Sequence, residues 1–135
     1  MIPVAELSDV LSVAGQIQPG DVADLAASGY TAIICNRPDD EESGQPSMDA
    51  VAAACEQVGV TFVRYPVTAL NFPGDDLTLM DDTMNSGDKT LAYCRSGARS
   101  ANLWVATQAG DARTAAVERA QQFGIPLSFV TQLGS

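Results

Sequence analysis

Leu91-Ala92-Tyr93-Cys94-Arg95-Ser96-Gly97-Ala98-Arg99-Ser100 is an apolar run that ends on a cysteine, then a tight loop containing glycine, then an arginine that opens an apolar-periodic segment. That order predicts strand, anion-binding loop and helix. Where loop N–H groups, a helix N-terminus and a guanidinium converge on a thiol, they favour the thiolate, the strongest nucleophile a protein offers at neutral pH. Cys94 is therefore the candidate nucleophile.

Upstream, the chain alternates between two periodicities. Val10 to Ala14 reads as a short strand, and Pro19-Gly20-Asp21 opens a helix over Val22 to Ser28 that stops at Gly29. Tyr30 to Asn36 is a continuous apolar, β-branched run suited to a strand buried on both faces. Arg37 to Pro46 is an acidic loop punctuated by Pro and Gly, after which Ser47 caps a helix from Met48 to Val58 that ends at Gly59. Val60 to Tyr65 is the next strand and Pro66 to Gly74 the next loop, with Leu77, Met80 and Met84 at helical spacing beyond it. The strand Thr90 to Tyr93 leads into the cysteine loop. A helix carrying Ala101, Leu103 and Trp104 follows, and Ala115, Val117, Ala120 and Phe123 mark one more before Gly124.

Strands alternating with helices predict an α/β fold: a central, mainly parallel sheet of four or five strands with helices on both faces, in one domain spanning residues 1–135. Ligands of such sheets sit beyond the C-terminal strand ends. Three loops leave those ends, Arg37 to Pro46, Val67 to Gly74 and Cys94 to Arg99, so their convergence would bring Arg37, Asp39, Asp75 and Asp76 near Cys94.

Composition narrows the chemistry. Seventeen acidic against seven basic side chains give a formal charge of −10 over 135 residues, which repels nucleic acid and anionic membranes. With no long apolar run and no basic-then-apolar leader, the expected location is the cytoplasm. No histidine is present, which removes Ser-His-Asp triads, Cys-His dyads and imidazole acid–base chemistry together. Cys35, Cys55 and Cys94 contain no Cys-x2-Cys pair, so neither a zinc site nor a disulfide framework is expected. Cys35 and Cys55 sit within apolar runs and read as core, as do Leu103 and Trp104.

A turn starting at Cys94 would point the backbone N–H groups of Arg95, Ser96, Gly97, Ala98 and Arg99 inward as a nest for an anion. Arg99 would add a planar fork for two oxygens of a tetrahedral anion, and Arg95 local positive potential. Ser100 is placed to hydrogen-bond the Cys94 sulfur or to cap the helix. Such a pocket suits attack on phosphorus, giving a phosphocysteine, or on sulfane sulfur, giving a persulfide. No cofactor is required for either. Arg37 could bind substrate at the mouth or pair with the solvated acidic cluster Asp39 to Glu42. Asp75 and Asp76 could serve as general acids or stabilise a helix N-terminus.

Tyr93 to Ser100 resembles the catalytic loops of cysteine-dependent protein tyrosine and dual-specificity phosphatases, and also those of rhodaneses. Together with Leu11-Ser12-Val13-Ala14-Gly15-Gln16, Asn36-Arg37-Pro38-Asp39 and Tyr65-Pro66-Val67, the wider chain resembles the bacterial beta-lactamase-hydrolase-like, phosphatase-like family over roughly Leu11 to Trp104. The resemblance implies a dual-specificity-phosphatase-like fold and a phosphatase acting on phosphorylated protein or small-molecule phosphates through Cys94. Two departures stand out. Phosphatase signatures place five residues between cysteine and arginine and a histidine before the cysteine, whereas this loop has four, Arg95 to Ala98, and Tyr93. The shorter spacing is familiar from rhodaneses, so a sulfurtransferase is the alternative. Phosphatases of this fold also carry an aspartate acid on a separate loop; after Pro66 no carboxyl occurs until Asp75, leaving Asp75, Asp76 and Asp39 as candidates. A third possibility is a non-catalytic oxyanion or phosphopeptide binder.

Overall fold

Cys94 sits at the end of the middle strand of a five-stranded sheet. The computed structural model describes residues 2–131. The strands are β1 (Ala5–Glu6), β2 (Leu11–Ala14), β3 (Ala32–Cys35), β4 (Thr61–Arg64) and β5 (Thr90–Tyr93), in the spatial order β1-β2-β5-β3-β4. The pairs β2·β5, β5·β3 and β3·β4 are parallel, and only β1, on one edge, runs antiparallel. The helices are α1 (Val22–Ala27), α2 (Met48–Val58), α3 (Leu77–Met84), α4 (Ala98–Ala106), α5 (Gly110–Gln122) and α6 (Ser128–Thr131).

The two-residue period of the strands divides the core. Ile33, Cys35, Leu91, Tyr93 and Ala14 point to one face, where Val22 and Leu25 of α1 and Val51 and Cys55 of α2 cover them. Leu11, Val13, Ile34 and Ala92 point to the other, against Met80 and Met84 of α3, Ala101, Leu103 and Trp104 of α4 and Ala116 of α5. The register pairs Ile33 with Leu91 and Ile34 with Ala92, so neighbouring strands present like residues to the same face. One polar pair is folded into this core: the Tyr30 hydroxyl donates to Ser12 Oγ at 2.9 Å.

The α/β class, the parallel sheet and the covering of both faces are as the sequence predicts. The differences lie at the ends of elements. The strand expected over Tyr30 to Asn36 is confined to Ala32–Cys35, because the Tyr30 N–H closes the end of α1 on Leu25 O. The last long helix begins at Gly110, five residues before its first expected apolar position, since its opening turn is polar and carries no periodicity. β1 and α6, with two and four residues, are too short to produce a pattern. No helix among the described residues is long and apolar enough to cross a membrane.

Leu91 is fully buried in the central strand. Leu91→Ala should lower stability by about 3 kcal/mol through lost transfer energy and the cavity left behind. Denaturant unfolding checks this: the midpoint should fall with the slope unchanged.

Candidate active site

Ala14, Tyr93 and Cys35 stand side by side as the last residues of β2, β5 and β3. Hydrogen bonding continues one step past them: Cys94 N–H donates to Ala14 O at 3.3 Å and Asn36 N–H to Tyr93 O at 2.8 Å. Val67 N–H then reaches Asn36 O at 3.1 Å, which draws the loop after β4 into the same edge. The three expected loops therefore converge, joined by a fourth at Gly15-Gln16. A Cβ on Gly15 would stand 3.0 Å from Arg95 O, so only glycine fits that approach comfortably.

Cys94 is 1% exposed, and the Gly97 N–H donates to its Sγ at 3.1 Å. Gly97 adopts φ 93°, a left-handed conformation that glycine enters without strain, and α4 starts immediately after it. The chain thus turns from strand to helix within four residues and aims a backbone donor at the sulfur. Ser96 Oγ supports the turn by accepting from Ala98 N at 3.4 Å.

Arg99, in the first turn of α4, reaches back over this edge. Its Nη1 donates to Val67 O at 2.9 Å, to Asn36 O at 3.3 Å and to Glu41 Oε2 at 3.0 Å, and its Nη2 lies 3.3 Å from Glu41 Oε1. The Nη1–Nη2 edge is therefore held by protein, whereas Nε has no acceptor among the described residues. The guanidinium is fixed on one side and open on another, as an oxyanion clamp needs.

The acidic loop after β3 is part of the site. The chain reverses at Asp40, whose φ of 63° is one that aspartate tolerates better than most side chains. Arg37 is 2% exposed; its Nε donates to Glu41 Oε1 at 3.0 Å and its Nη1 to Gln16 Oε1 at 3.0 Å. Glu42 lies 3.3 Å from Arg95 Nη2 and 3.7 Å from Arg37 Nη2. Partial burial pushes the Glu41 carboxyl up, but hydrogen bonds and charge from Arg99 and Arg37 outweigh it, so Glu41 ionises below the ordinary glutamate range.

Several sequence expectations change. Arg37 does pair with the acidic run, but as a buried cation. Ser100 Oγ, fully buried, neither reaches the Cys94 sulfur nor caps α4; it has no hydrogen-bond partner among the described residues, and Gly97 occupies the cap position. Asp76 is committed to α3, accepting from Leu79 N at 3.1 Å, while its own N–H is held by the Tyr65 hydroxyl at 3.0 Å. Asp39 accepts from Met48 N at 2.8 Å at the start of α2. Asp75 is exposed and lines a cleft of about 520 Å³ with Arg64, Tyr65, Pro66, Asn71 and Gly74, a lining that includes neither Cys94 nor Arg99. Burial raises the thiols of Cys35 and Cys55, the latter to about 11, in keeping with core positions. Gln16, Asn36, Glu41 and Glu42 belong to the site and were not singled out. The four-residue spacing of Arg37 and Glu41 was the one available signal for the glutamate.

Glu41→Gln should cost about 2 kcal/mol at pH 7, because it leaves Arg37 without its carboxylate. A lowered carboxyl contributes its stability above the unfolded value, about 4.3, and loses it as pH falls through the folded one. The gap between variant and wild type should accordingly shrink towards pH 3 in chemical denaturation. A gap independent of pH would rule out the ionic contribution.

Comparison with known proteins gives the site a family. Residues 4–111 match the model for the phosphatase-like domain of beta-lactamase hydrolase-like proteins. Among curated relatives, the beta-lactamase hydrolase-like protein of Agrobacterium fabrum is 31% identical over 108 residues and that of Xylella fastidiosa 28% over 111. These alignments take in 79% and 82% of this chain but 25% and 26% of the relatives, so the chain spans about a quarter of their length. A solved Neisseria meningitidis protein described as a candidate phosphatase superposes with a TM-score of 0.75 at 33% identity, covering 96% of this chain and 94% of the other. Tk-PTP in its active form shares the fold, with a TM-score of 0.68 at 18% identity over 96% of this chain and 95% of that one. A mouse candidate dual-specificity phosphatase, solved with zinc tungstate, does so at 0.63 and 21%, over 98% and 85%. A cysteine and an arginine at the mouth of a dual-specificity-phosphatase fold thus accompany a family match over most of the sequence, and the chain belongs to the phosphatase-like domain family of the beta-lactamase hydrolase-like proteins.

Proposed function

We propose that the chain is a cysteine-dependent phosphatase that hydrolyses phosphomonoesters, aryl phosphates of the phosphotyrosine type among them. The observation that carries the reading is the pairing of a backbone donor on Cys94 Sγ with an arginine clamped along one edge and free at Nε. The sulfur attacks phosphorus, an S–P bond forms and the ester P–O bond breaks. Arg99 and the N–H groups of Arg95 to Arg99 take the charge on the equatorial oxygens. Water then cleaves the S–P bond and releases phosphate. The departing oxygen needs a proton; Asp39 and Asp76 are engaged at helix N-termini, and Asp75, the expected carboxyl left free, lines the neighbouring cleft and would have to cross from it to serve. The family match supports phosphatase chemistry, and the kinase-associated phosphatase, which shares the fold at 14% identity, has a catalytic-site cysteine.

The four-residue loop favours a second reading, sulfur transfer through a Cys94 persulfide. Reduced protein given phenyl phosphate, or thiosulfate with cyanide, separates the two. Phosphate release should be abolished in Cys94→Ser and fall about 100-fold, roughly 2.7 kcal/mol of barrier, in Arg99→Lys, which cannot copy the planar fork. Thiocyanate without phosphate would transfer the site to sulfur chemistry, and oxyanion binding without either product would make it a binding module.

A further inference from the structure

Three of the seven basic side chains, Arg37, Arg95 and Arg99, gather at the loop edge of a chain whose net charge is −10. The Glu41 carboxylate joins Arg99 to Arg37, and the Glu42 carboxylate joins Arg37 to Arg95. Arg37 and Arg95 therefore lie one carboxylate apart, immediately beside the clamp.

The two bridges differ in quality. Glu41 is hydrogen-bonded at 3.0 Å to both of its arginines. Glu42 reaches Arg95 at 3.3 Å and Arg37 at 3.7 Å, outside the 2.7–2.9 Å of a strong charge-assisted bond. Arg37 Nη2 is in consequence a buried cationic donor with no hydrogen-bond partner among the described residues. An unsatisfied buried donor is costly, and here it faces the place held by a side chain that is 56% exposed. The opposing guanidinium, Arg95, is 67% exposed and positioned by that same carboxylate.

We propose that Arg37 and Arg95 form a second anion subsite beside the Cys94 cradle, which takes a second anionic group of the same substrate, and that Glu42 holds its place in the free protein. The identity of the first group rests on the phosphatase reading. Phosphate suits the second position better than Glu42 does, because it carries more charge and is not tied to a backbone that stops short of Arg37. The preferred substrates are then phosphomonoesters bearing a second phosphate, rather than simple aryl phosphates.

The test is calorimetric binding to Cys94→Ser protein of phenyl phosphate and of the ortho, meta and para benzene bisphosphates, which scan the separation of the two groups. At least one bisphosphate should bind about tenfold tighter than phenyl phosphate, beyond the statistical factor of about two. Adding Arg95→Gln, a change at an exposed side chain, should bring that ratio down to about two, and adding Glu42→Gln should raise it about threefold. The inference is overturned if every bisphosphate stays near the statistical ratio, if none of the probes binds, or if the preference survives Arg95→Gln. Turnover of phenyl phosphate by wild-type protein is the separate arm. Its absence alongside an Arg95-dependent ratio would refute the phosphatase reading and leave the subsite standing.

Discussion

The site depends on one constraint: β2, β5 and β3 are parallel and end in the same row. With Ala14, Tyr93 and Cys35 abreast, every chain that leaves them emerges on one edge, and the next backbone groups, Cys94 N–H and Asn36 N–H, still find partners in the adjacent strand. A slip of one residue in β5 would turn Leu91 and Tyr93 out of their cluster and point Ala92 into it, so both faces of the core oppose the slip. The hydrophobic core thereby sets where the sulfur stands.

What the sheet positions, the ionic network orients. Arg37 is a buried cation, and a buried cation needs compensation. Its backbone is tied as well as its side chain, since the Cys35 thiol donates to Arg37 O at 3.2 Å. Glu41 serves both Arg37 and Arg99, so the group that satisfies the buried charge also fixes the clamp. The charge that folding must neutralise and the charge that binding uses are thus joined through one carboxylate.

The strand, loop and helix around Cys94 were legible because their signal is local: an apolar run, a glycine at the turn and an arginine at fixed spacing. The helix Met48–Val58 was legible for the same reason, with Ser47 accepting from Ala50 N at its start and Gly59 left-handed at its end. Glu41 escaped because its partner Arg99 lies 58 residues away, and four consecutive acids beside an arginine read as solvated. Asp75 and Asp76 could not be separated from sequence. Which of the two caps α3 follows from where Tyr65, 11 residues earlier, holds the turn through Asp76 N–H and Pro73 O. Ser100 illustrates the opposite error: the arginine-serine order suggested a role at the sulfur, and its buried hydroxyl has no hydrogen-bond partner among the described residues.

The loop from Asp39 to Gly44 is exposed along its length and contributes no residue to either apolar cluster. It is fastened instead by Asp39 on Met48 N–H, by the Gln45 amide on Pro38 O, and by its two glutamates on the arginines. Its local opening free energy is therefore electrostatic in origin, while that of the strands beneath it is hydrophobic. Salt and acid act first on the former. Whether Glu41 and Glu42 stay seated consequently reports the state of the arginines under them, which makes a stretch with no reacting atom the natural gauge of whether the site is occupied.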